Sequence, residues 1–273
     1  MPESPAWDEA LLSNPHAATD KRSRVQRMFA AIAPSYDLNN RLHSFGRDQA
    51  WRRAAVRMAE LKPTDVVVDV ACGTGDLTLA MYHGLWSKPG DWPPARGQVI
   101  GIDFTYEMLP RGREKAAKAV ERPGAVGARA LTAADFVTFV NGDATALPLP
   151  DASADVVSIA FGIRNVQDPA AALREFRRVL RPGGRVIVLE FSEPTNPLIR
   201  AVNRFYTGKV MPLTATLISG DKSGAYKYLP RSIGTFWTRR QMVEALEAAG
   251  FSQIVQKPLT FGVAVVYRGL VRG

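Results

Sequence analysis

The sequence predicts a doubly wound α/β fold, in which helices cover both faces of a largely parallel sheet. Short apolar runs rich in valine and isoleucine alternate with amphipathic helical patterns, and this order builds such a sheet. The first run, residues 66–70, passes through a glycine-containing turn at 72–75 into a helical pattern. Ligands of this fold class bind beyond the carboxyl ends of the strands, so we expect the binding site at this turn.

Composition indicates a soluble, single-domain protein of a reducing compartment. The chain has 273 residues, of which 46% are hydrophobic, and this is enough for one large domain with a substantial core. No apolar run is long enough to cross a bilayer, and the N-terminus lacks the layout of a secretory signal. The single cysteine rules out an internal disulfide and is typical of the cytoplasm, which is the location we predict.

The formal net charge of +9 is compatible with nucleic acid, an anionic membrane surface or an acidic substrate. The arginines are spread over the stretches 22–57, 174–185 and 231–240, without the interleaved aromatic residues of a nucleic-acid site. We therefore place most of them on solvated helix faces, and we expect no nucleic-acid partner and no metal site. A homodimer is compatible with the sequence, which does not fix the oligomeric state.

The N-terminal part is expected to lie outside the sheet. Residues 1–21 are polar and aperiodic, which predicts a flexible leader ahead of a single domain over 22–273. Helical patterns follow at 25–33 and 48–61. Because both patterns precede the first strand, we expect residues 22–62 to form a helical cover over the ligand-binding end of the sheet.

The turn after the first strand favours one kind of ligand. It lacks the third glycine of a dinucleotide fingerprint and the lysine of a phosphate-binding loop. Asp76 directly follows Gly75, and its carboxylate would repel a pyrophosphate but can accept hydrogen bonds from a cation or a hydroxyl. An adenosyl sulfonium compound is therefore favoured over NAD or FAD, and a tight turn without a ligand is the alternative.

Two further strand ends carry acidic residues. The strand at 99–103 ends in Asp103, whose carboxylate can accept hydrogen bonds from both ribose hydroxyls of an adenosine. Capping of the following helix is the alternative for Asp103. The strand at 136–140 is followed by Asp143 and Ala144. There, Asp143 can accept a hydrogen bond from the adenine amino group, with the Ala144 amide beside the ring.

The remaining strands complete a sheet of seven, mostly parallel, with an antiparallel C-terminal strand. Four strands and two helices follow in the order strand 154–161, helix 169–180, strand 185–191, helix 239–249, strand 253–258 and strand 262–267. The segments 84–97 and 123–134, rich in glycine, proline or alanine, are predicted loop insertions.

Residues 192–233 interrupt the alternation of strands and helices. They contain many apolar residues without a clean period, which indicates a helical lid over an apolar pocket. A helical excursion with its own small core fits the pattern equally well.

Five segments together resemble the class I S-adenosylmethionine-dependent methyltransferases, which have a Rossmann-like sheet. They are VVVDVACGTGD at 66–76, VIGIDF at 99–104, FVNGDATALPLPD at 139–151, ADVVSIAFGIRNV at 154–166 and REFRRVLRPGGRVIVLEF at 174–191. The resemblance is most specific to the ubiquinone/menaquinone biosynthesis C-methyltransferases of the UbiE/MenG type, and it covers residues 25–268. Its most particular segments are 36–46, 160–166 and 226–233.

This resemblance implies S-adenosylmethionine as cofactor, with Thr74 and its glycine neighbours at the methionine part, Asp103 at the ribose and Asp143 at the adenine. The complete set of cofactor-binding residues that we predict is Asp69, Cys72, Gly73, Thr74, Gly75, Asp103, Asp143, Ala144 and Phe161. Departures from the family pattern at Asp48, Arg231, Phe261 and Tyr267 lie on the substrate side or at the sheet edge. They leave a naphthoquinol and a benzoquinol ring both open, and we favour demethylmenaquinol.

The resemblance further implies methylation of a ring carbon of a reduced polyprenyl quinone. A phenol with a pKa of ~10 is not ionised at neutral pH, so the reaction needs a base or a nearby cation. We predict that Arg164 stabilises the quinolate and that Asn165 orients a ring oxygen. Tyr36 and Asp37 are expected to close over the site, with Asp37 a candidate base. A structural ion pair with a carboxylate is the alternative for Arg164.

A polyprenyl substrate has a lipid tail that needs an apolar channel, which residues 198–229 can supply. Basic helices nearby can rest on an anionic membrane, so we predict a transient, peripheral contact with the inner face of the cytoplasmic membrane. Methylation of another small lipophilic acceptor is the alternative activity. A cofactor-binding or RNA-binding module without catalysis is the alternative outside enzymes.

Overall fold

The computed structural model describes residues 7, 9–85, 98–122, 131–219 and 224–273. Most of the two predicted loop insertions, at 86–97 and 123–130, therefore lies outside the described residues.

Nine strands are present in the described residues. In chain order they are β1 (Val66–Val70), β2 (Gln98–Asp103), β3 (Val120–Arg122), β4 (Leu131–Thr132), β5 (Val137–Asn141), β6 (Ala154–Ala160), β7 (Leu180–Phe191), β8 (Phe251–Leu259) and β9 (Ala264–Val271). Strands β3 and β4 pair only with each other, and the other seven form one sheet in the order β5-β2-β1-β6-β7-β9-β8. Strand β9 is antiparallel to both of its neighbours, whereas the other six run in one direction. The predicted seven-stranded sheet is confirmed.

Eleven α-helices surround this sheet in the described part of the chain. They are α1 (Glu9–Leu12), α2 (Lys21–Ile32), α3 (Tyr36–His43), α4 (Arg47–Ala59), α5 (Asp76–Leu85), α6 (Leu109–Lys118), α7 (Pro169–Val179), α8 (Pro197–Phe205), α9 (Met211–Ser219), α10 (Ala225–Gly234) and α11 (Arg239–Ala248). A π-helical turn, Tyr206–Val210, joins α8 to α9, and a 3₁₀ turn, Ile163–Asn165, follows β6.

The central strands are buried on both faces because two apolar clusters cover them. Alternate residues of a strand face opposite sides of the sheet, so Val68 packs with α7 and α11 on one side and Val67 with α4, α5 and α6 on the other. This explains why these strands are continuous apolar runs rather than alternating patterns.

Local signals fix several helix ends next to the sheet. Asp168 accepts a hydrogen bond from the Ala171 amide at the start of α7, where Pro169 occupies the first turn. Thr238 and Gln241 form a complete capping box at the start of α11.

The N-terminal segment corrects two predictions. Residues 36–43, expected to connect two helices, form α3. Within the predicted flexible leader, α1 and a turn at Pro15–Ala17 pack on the domain, and Trp7 stacks on Tyr228 with ring centroids 4.6 Å apart. The leader prediction is wrong for these residues, because their isolated apolar side chains find a partner surface on α10 that no local period could indicate.

Helices α8, α9 and α10 form the helical insertion between β7 and α11, as the sequence predicts. Buried Ala225 and Tyr228 of α10 belong to the same apolar cluster as Trp7, Leu12 and Met28. The insertion therefore shares a core with the N-terminal segment instead of forming one of its own. In the described residues, no helix has the length and apolar character needed to cross a membrane.

Candidate active site

The turn between β1 and α5 has a backbone that requires glycine. Gly73 and Gly75 have φ values of +55° and +81°, in the left-handed region that favours glycine. A Cβ on Gly75 would also lie 2.8 Å from the Phe139 ring, which fills the space beneath the turn. The turn can therefore bring its backbone close to a ligand at the carboxyl end of β1.

Asp103, at the end of β2, is bonded to this turn. Its Oδ2 accepts a hydrogen bond from the Gly73 amide at 2.7 Å, and its Oδ1 accepts one from the Thr105 amide at 2.7 Å. Burial raises the pKa of Asp103 to about 6. These bonds hold a buried carboxylate at the switch point between β1 and β2, the position that the sequence assigns to the ribose.

A cavity of about 330 Å³, the small cavity, opens at this carboxylate. Five of the predicted cofactor residues line it: Gly73, Asp103, Asp143, Ala144 and Phe161. Asp143 forms an ion pair with Arg22 at 2.9 Å and accepts hydrogen bonds from the Thr145 amide and hydroxyl. The volume of the small cavity lies in the range of small-molecule sites. Its wall combines carboxylates with apolar side chains, so an adenosine derivative fits it.

Asp69 lies behind the turn and lines neither of the cavities described here. Its two carboxylate oxygens accept hydrogen bonds from the hydroxyls of Thr78 and Ser158, both at 2.7 Å. Burial raises the pKa of Asp69 to about 6. Asp69 therefore supports the turn from within the protein, and its direct contact with a cofactor stays a prediction.

Cys72, Thr74 and Gly75 also lie outside the wall of the small cavity. Cys72 is buried, its Sγ lies 3.1 Å from where a Cβ on Gly101 would be, and burial raises the pKa of its thiol. The Thr74 hydroxyl donates to Asp37 at 2.5 Å. Their contact with a cofactor stays a prediction.

Lys115 of α6 joins the glycine turn to α3. Its Nζ lies 2.7 Å from the Asp37 carboxylate, 2.6 Å from the Asp76 carboxylate and 3.0 Å from the Thr74 hydroxyl. Asp37 is thus held in an ion pair and lines neither cavity. These contacts of Asp37 fasten the helical cover to the turn, and its role as a candidate base stays a prediction. Lys115 was missed because nothing in the sequence links α6 to α3.

A cavity of about 860 Å³, the large cavity, lies between the N-terminal helices and the helical insertion. Arg164 lines it, and its Nη1 lies 2.6 Å from Glu190 Oε1 and donates to the Phe161 carbonyl at 2.7 Å. The predicted alternative for Arg164, a structural ion pair, is therefore present. Its Nε, however, is buried with no hydrogen-bond partner in the described residues.

Glu190 was missed by sequence reasoning, although an acidic residue inside the apolar run of β7 is a usable signal. It is 2% exposed, and burial raises the pKa of its carboxyl. Asn165 lies on the other side of Arg164 and lines the small cavity. Its Oδ1 accepts a hydrogen bond from the Tyr228 hydroxyl at 2.9 Å, so Asn165 connects the small cavity to α10 of the insertion.

Three aromatic side chains, Phe29, Tyr36 and Phe161, line both cavities. Burial raises the pKa of Tyr36 above its usual value, so its hydroxyl is protonated at neutral pH. The two cavities thus meet at one aromatic wall. This arrangement suits a reaction in which a small group passes from a polar donor in one cavity to an apolar acceptor in the other.

Comparison with known proteins identifies the group to which the chain belongs. A model of the ubiE/COQ5 methyltransferase family matches residues 17–271, nearly the whole chain. The chain belongs to the ubiE/COQ5 methyltransferase family. Membership agrees with the methyl donor inferred from the turn and the resemblance, so this family member is an S-adenosylmethionine-dependent methyltransferase.

Relatives within the ubiE/COQ5 family are similar over most of their length. A Thermus thermophilus protein named demethylmenaquinone methyltransferase is 44% identical over 89% of this chain and 99% of its own. A Geotalea daltonii protein named ubiquinone/menaquinone biosynthesis C-methyltransferase UbiE is 39% identical over 92% of this chain and 97% of its own.

Among solved structures, a Thermotoga maritima SAM-dependent methyltransferase, described as a possible histamine N-methyltransferase, superposes on this member of the ubiE/COQ5 family with a TM-score of 0.57. The match covers 90% of this chain and 99% of that one, at 18% identity. At such low identity the likeness bears on the fold, which is that of a class I methyltransferase.

Proposed function

We propose that this protein transfers the methyl group of S-adenosylmethionine to a ring carbon of a reduced polyprenyl quinone, with demethylmenaquinol the preferred acceptor. The observation that carries the proposal is the aromatic wall of Phe29, Tyr36 and Phe161 between the small cavity, which contains two carboxylates, and the large cavity. The name of the Thermus relative supports a naphthoquinol. The name of the Geotalea relative covers both quinone classes and keeps a methoxybenzoquinol as the alternative.

The small cavity supplies the groups that would hold the donor. Asp103 can accept hydrogen bonds from ribose hydroxyls, and Asp143 can accept one from an adenine amino group beside Ala144. S-adenosylmethionine, when bound, supplies an electrophilic methyl group on a sulfonium. Phe161 and Tyr36 exclude water from the boundary with the large cavity, which protects such a group from competing nucleophiles.

The large cavity supplies a cation for the acceptor. A neutral aromatic carbon is a weak nucleophile, and ionisation of a ring hydroxyl moves electron density onto the neighbouring carbon. Arg164 stays protonated, so it acts by stabilising the anion rather than by removing the proton. The side chain lines the large cavity, so its guanidinium lies beside the space that a ring oxygen would occupy. Tyr36, with its raised pKa, remains a neutral hydroxyl and is not a base.

The outer surface of the insertion fits a membrane that contains the acceptor. Large apolar side chains of α8 and α9 are strongly exposed: Leu198 72%, Val202 63%, Phe205 65%, Leu213 69% and Leu217 84%. Phe45, beyond the end of α3, is 77% exposed, and its ring lies 5.6 Å from Tyr206 of the insertion. We define these six exposed residues as the apolar face. Exposed patches of this kind mark contacts with proteins or membranes.

Charge favours a lipid surface as the partner of the apolar face. The helical segments from α8 to α10 contain five basic residues, Arg200, Arg204, Lys209, Lys227 and Arg231, and no acidic residue. Clustered basic residues beside exposed apolar side chains are typical of proteins that bind anionic membranes reversibly. Because the same helices line the large cavity, an acceptor with a lipid tail can enter it from the bilayer.

An acceptor panel tests the proposal. The purified protein is incubated with methyl-labelled S-adenosylmethionine and one of five acceptors: demethylmenaquinol, a polyprenyl methoxybenzoquinol, a simple phenol, a sterol or a lipid amine. We expect label on a ring carbon of demethylmenaquinol, located by mass spectrometry. Label found only on the sterol or the amine would contradict the proposal. Tight RNA binding with steep salt dependence and no transfer to any acceptor would favour the non-enzymatic alternative.

A further inference from the structure

Lys21, the first residue of α2, is a buried cation that the proposed mechanism does not use. It is 1% exposed, and its Nζ donates a hydrogen bond to the Val166 carbonyl at 2.6 Å. No carboxylate forms an ion pair with it in the described residues. An ammonium group with a single carbonyl partner is costly to bury, so its position calls for a physical explanation.

The contact places Lys21 at the turn that carries Arg164. Val166 directly follows the turn Ile163–Asn165, and the Lys21 ammonium donates a hydrogen bond to the Val166 carbonyl. Two more hydrogen bonds tie the start of α2 to the same loop, from the Arg22 amide to Gln167 and from Gln167 to the Ala18 carbonyl. Three hydrogen bonds therefore hold the N-terminal segment against this loop.

The charged and titratable groups around Lys21 leave its charge uncompensated. Burial and, to a smaller extent, the positive charge of Arg164 lower the pKa of Lys21 to about 8. His16, on the preceding turn, has its pKa lowered to about 4 by burial and is neutral. Tyr228 of α10 is also neutral, since burial raises its pKa. Lys21 and Arg164 are thus two buried cations whose charges repel each other, and Glu190 is paired with Arg164.

We propose that Lys21 is a positioning residue whose ammonium holds the Arg164 turn and adds, near Arg164, a second positive charge that is balanced when the acceptor hydroxyl ionises. This inference rests on the proposed function, because it assigns Lys21 to the ionisation of a quinol. The charge acts through Arg164, and Lys21 itself lines neither cavity. An excess cation next to the site lowers the pKa of a bound phenol.

The test measures this pKa directly with 4-nitro-1-naphthol, whose anion is coloured. Its absorbance in complex with the protein is titrated in the wild type and in Lys21→Met, Lys21→Gln and Lys21→Arg. We expect the pKa of the bound naphthol to rise by about one pH unit in the Met and Gln variants, as expected for loss of a neighbouring charge. The Arg variant, which keeps the charge, should keep the low pKa.

The acidic limb of the pH profile of kcat/KM for demethylmenaquinol should move to higher pH in the same two variants. Should Lys21→Met fail to fold, Lys21→Gln provides the comparison, since it retains a donor for Val166. An unshifted naphthol pKa in a folded neutral variant, together with normal wild-type turnover, would overturn this inference alone. Absence of quinol methylation by the wild type would overturn the proposed function and this inference with it.

Discussion

Arg164 Nη1 lies 2.6 Å from Glu190 Oε1, and their side chains are 5% and 2% exposed. The same oxygen of Glu190 accepts a hydrogen bond from the Phe191 amide at 2.7 Å. An ion pair buried to this degree holds Arg164 in one position beside the large cavity. Removal of either partner leaves the other charge buried and unpaired, so either single substitution should lower stability.

Glu190→Ala should lower the free energy of unfolding by about 3–5 kcal/mol, since it leaves the Arg164 guanidinium buried without its partner. Urea unfolding at pH 7.5 measures this. Glu244→Ala is the matched control, because Glu244 is an exposed carboxylate paired with Arg240 and should change stability by less than about 1 kcal/mol. Equal losses in the two variants would contradict a structural role for the buried pair.

Arg164→Ala should lower turnover with demethylmenaquinol by about 10²–10³-fold, the usual effect of removing a donor to a developing anion. Affinity for S-adenosylmethionine should change little, because the residue lines the large cavity and not the small one. Single-turnover kinetics and calorimetry separate the two quantities. A parallel loss of turnover and cofactor affinity would show that Arg164 acts on the fold or the donor site instead.

Binding of S-adenosylmethionine should weaken as the pH falls below about 6. Burial raises the pKa of Asp103 to about 6, and the ribose hydroxyls need the ionised carboxylate as acceptor. Protonation therefore competes with binding, and affinity should fall up to about tenfold per pH unit below this value. Calorimetry between pH 5 and 8 measures the slope. Asp103→Asn should bind weakly at every pH and show no such slope, and a sloping profile in that variant would assign the effect to another group.

The contribution of Asp69 to stability should fall as the pH rises, whereas that of an ion-paired surface carboxylate rises with pH. The pKa of Asp69 in the folded protein, about 6, is above the unfolded value near 3.8, so its contribution is complete below the unfolded pKa and is lost as the pH rises through 6. Relative to wild type, Asp69→Asn should gain about 2 kcal/mol between pH 4.5 and pH 8. Unfolding curves at the two pH values test this, and an identical difference at both would refute it.

The apolar face should carry the membrane contact. The double substitution Leu198→Asp with Leu217→Asp should lower binding to anionic liposomes at least tenfold, because each buried leucine contributes about 1.5–3 kcal/mol. Flotation at low and high salt measures binding. Phe261→Asp, at a residue 79% exposed in the turn between β8 and β9, is the control and should bind like wild type. Retained flotation of the double variant would move the contact to another surface.

Much of the sheet is predictable because its strands are continuous apolar runs. The predicted 154–161 and 136–140 correspond to Ala154–Ala160 and Val137–Asn141. Strand β7 begins earlier than predicted, at Leu180, because the stretch through Pro182 and Gly183 looks like a helix stop in sequence but pairs with β6 through a register shift.

Candidate site residues can be proposed from sequence where they end a strand or lie in the turn after one, as Asp103 and Arg164 do. A contact is missed where the partner lies far along the chain. The ion pair of Asp37 with Lys115, for example, joins two helices that no sequence pattern links. The sequence predicts a leader at the N-terminus because the contacts that order this segment are distant in the chain. Trp7 stacks on Tyr228 and Lys21 bonds Val166, and no local pattern connects these residues.

The aromatic wall between the two cavities also limits what can be transferred. Synthetic sulfonium donors that carry ethyl or allyl groups would have to fit past the same three rings. Phe29 is the ring to shorten first, since Tyr36 and Phe161 belong to segments that also carry site contacts. A leucine at position 29 would widen the passage from the cover side, which makes this position the natural starting point for turning the protein into an alkylation biocatalyst.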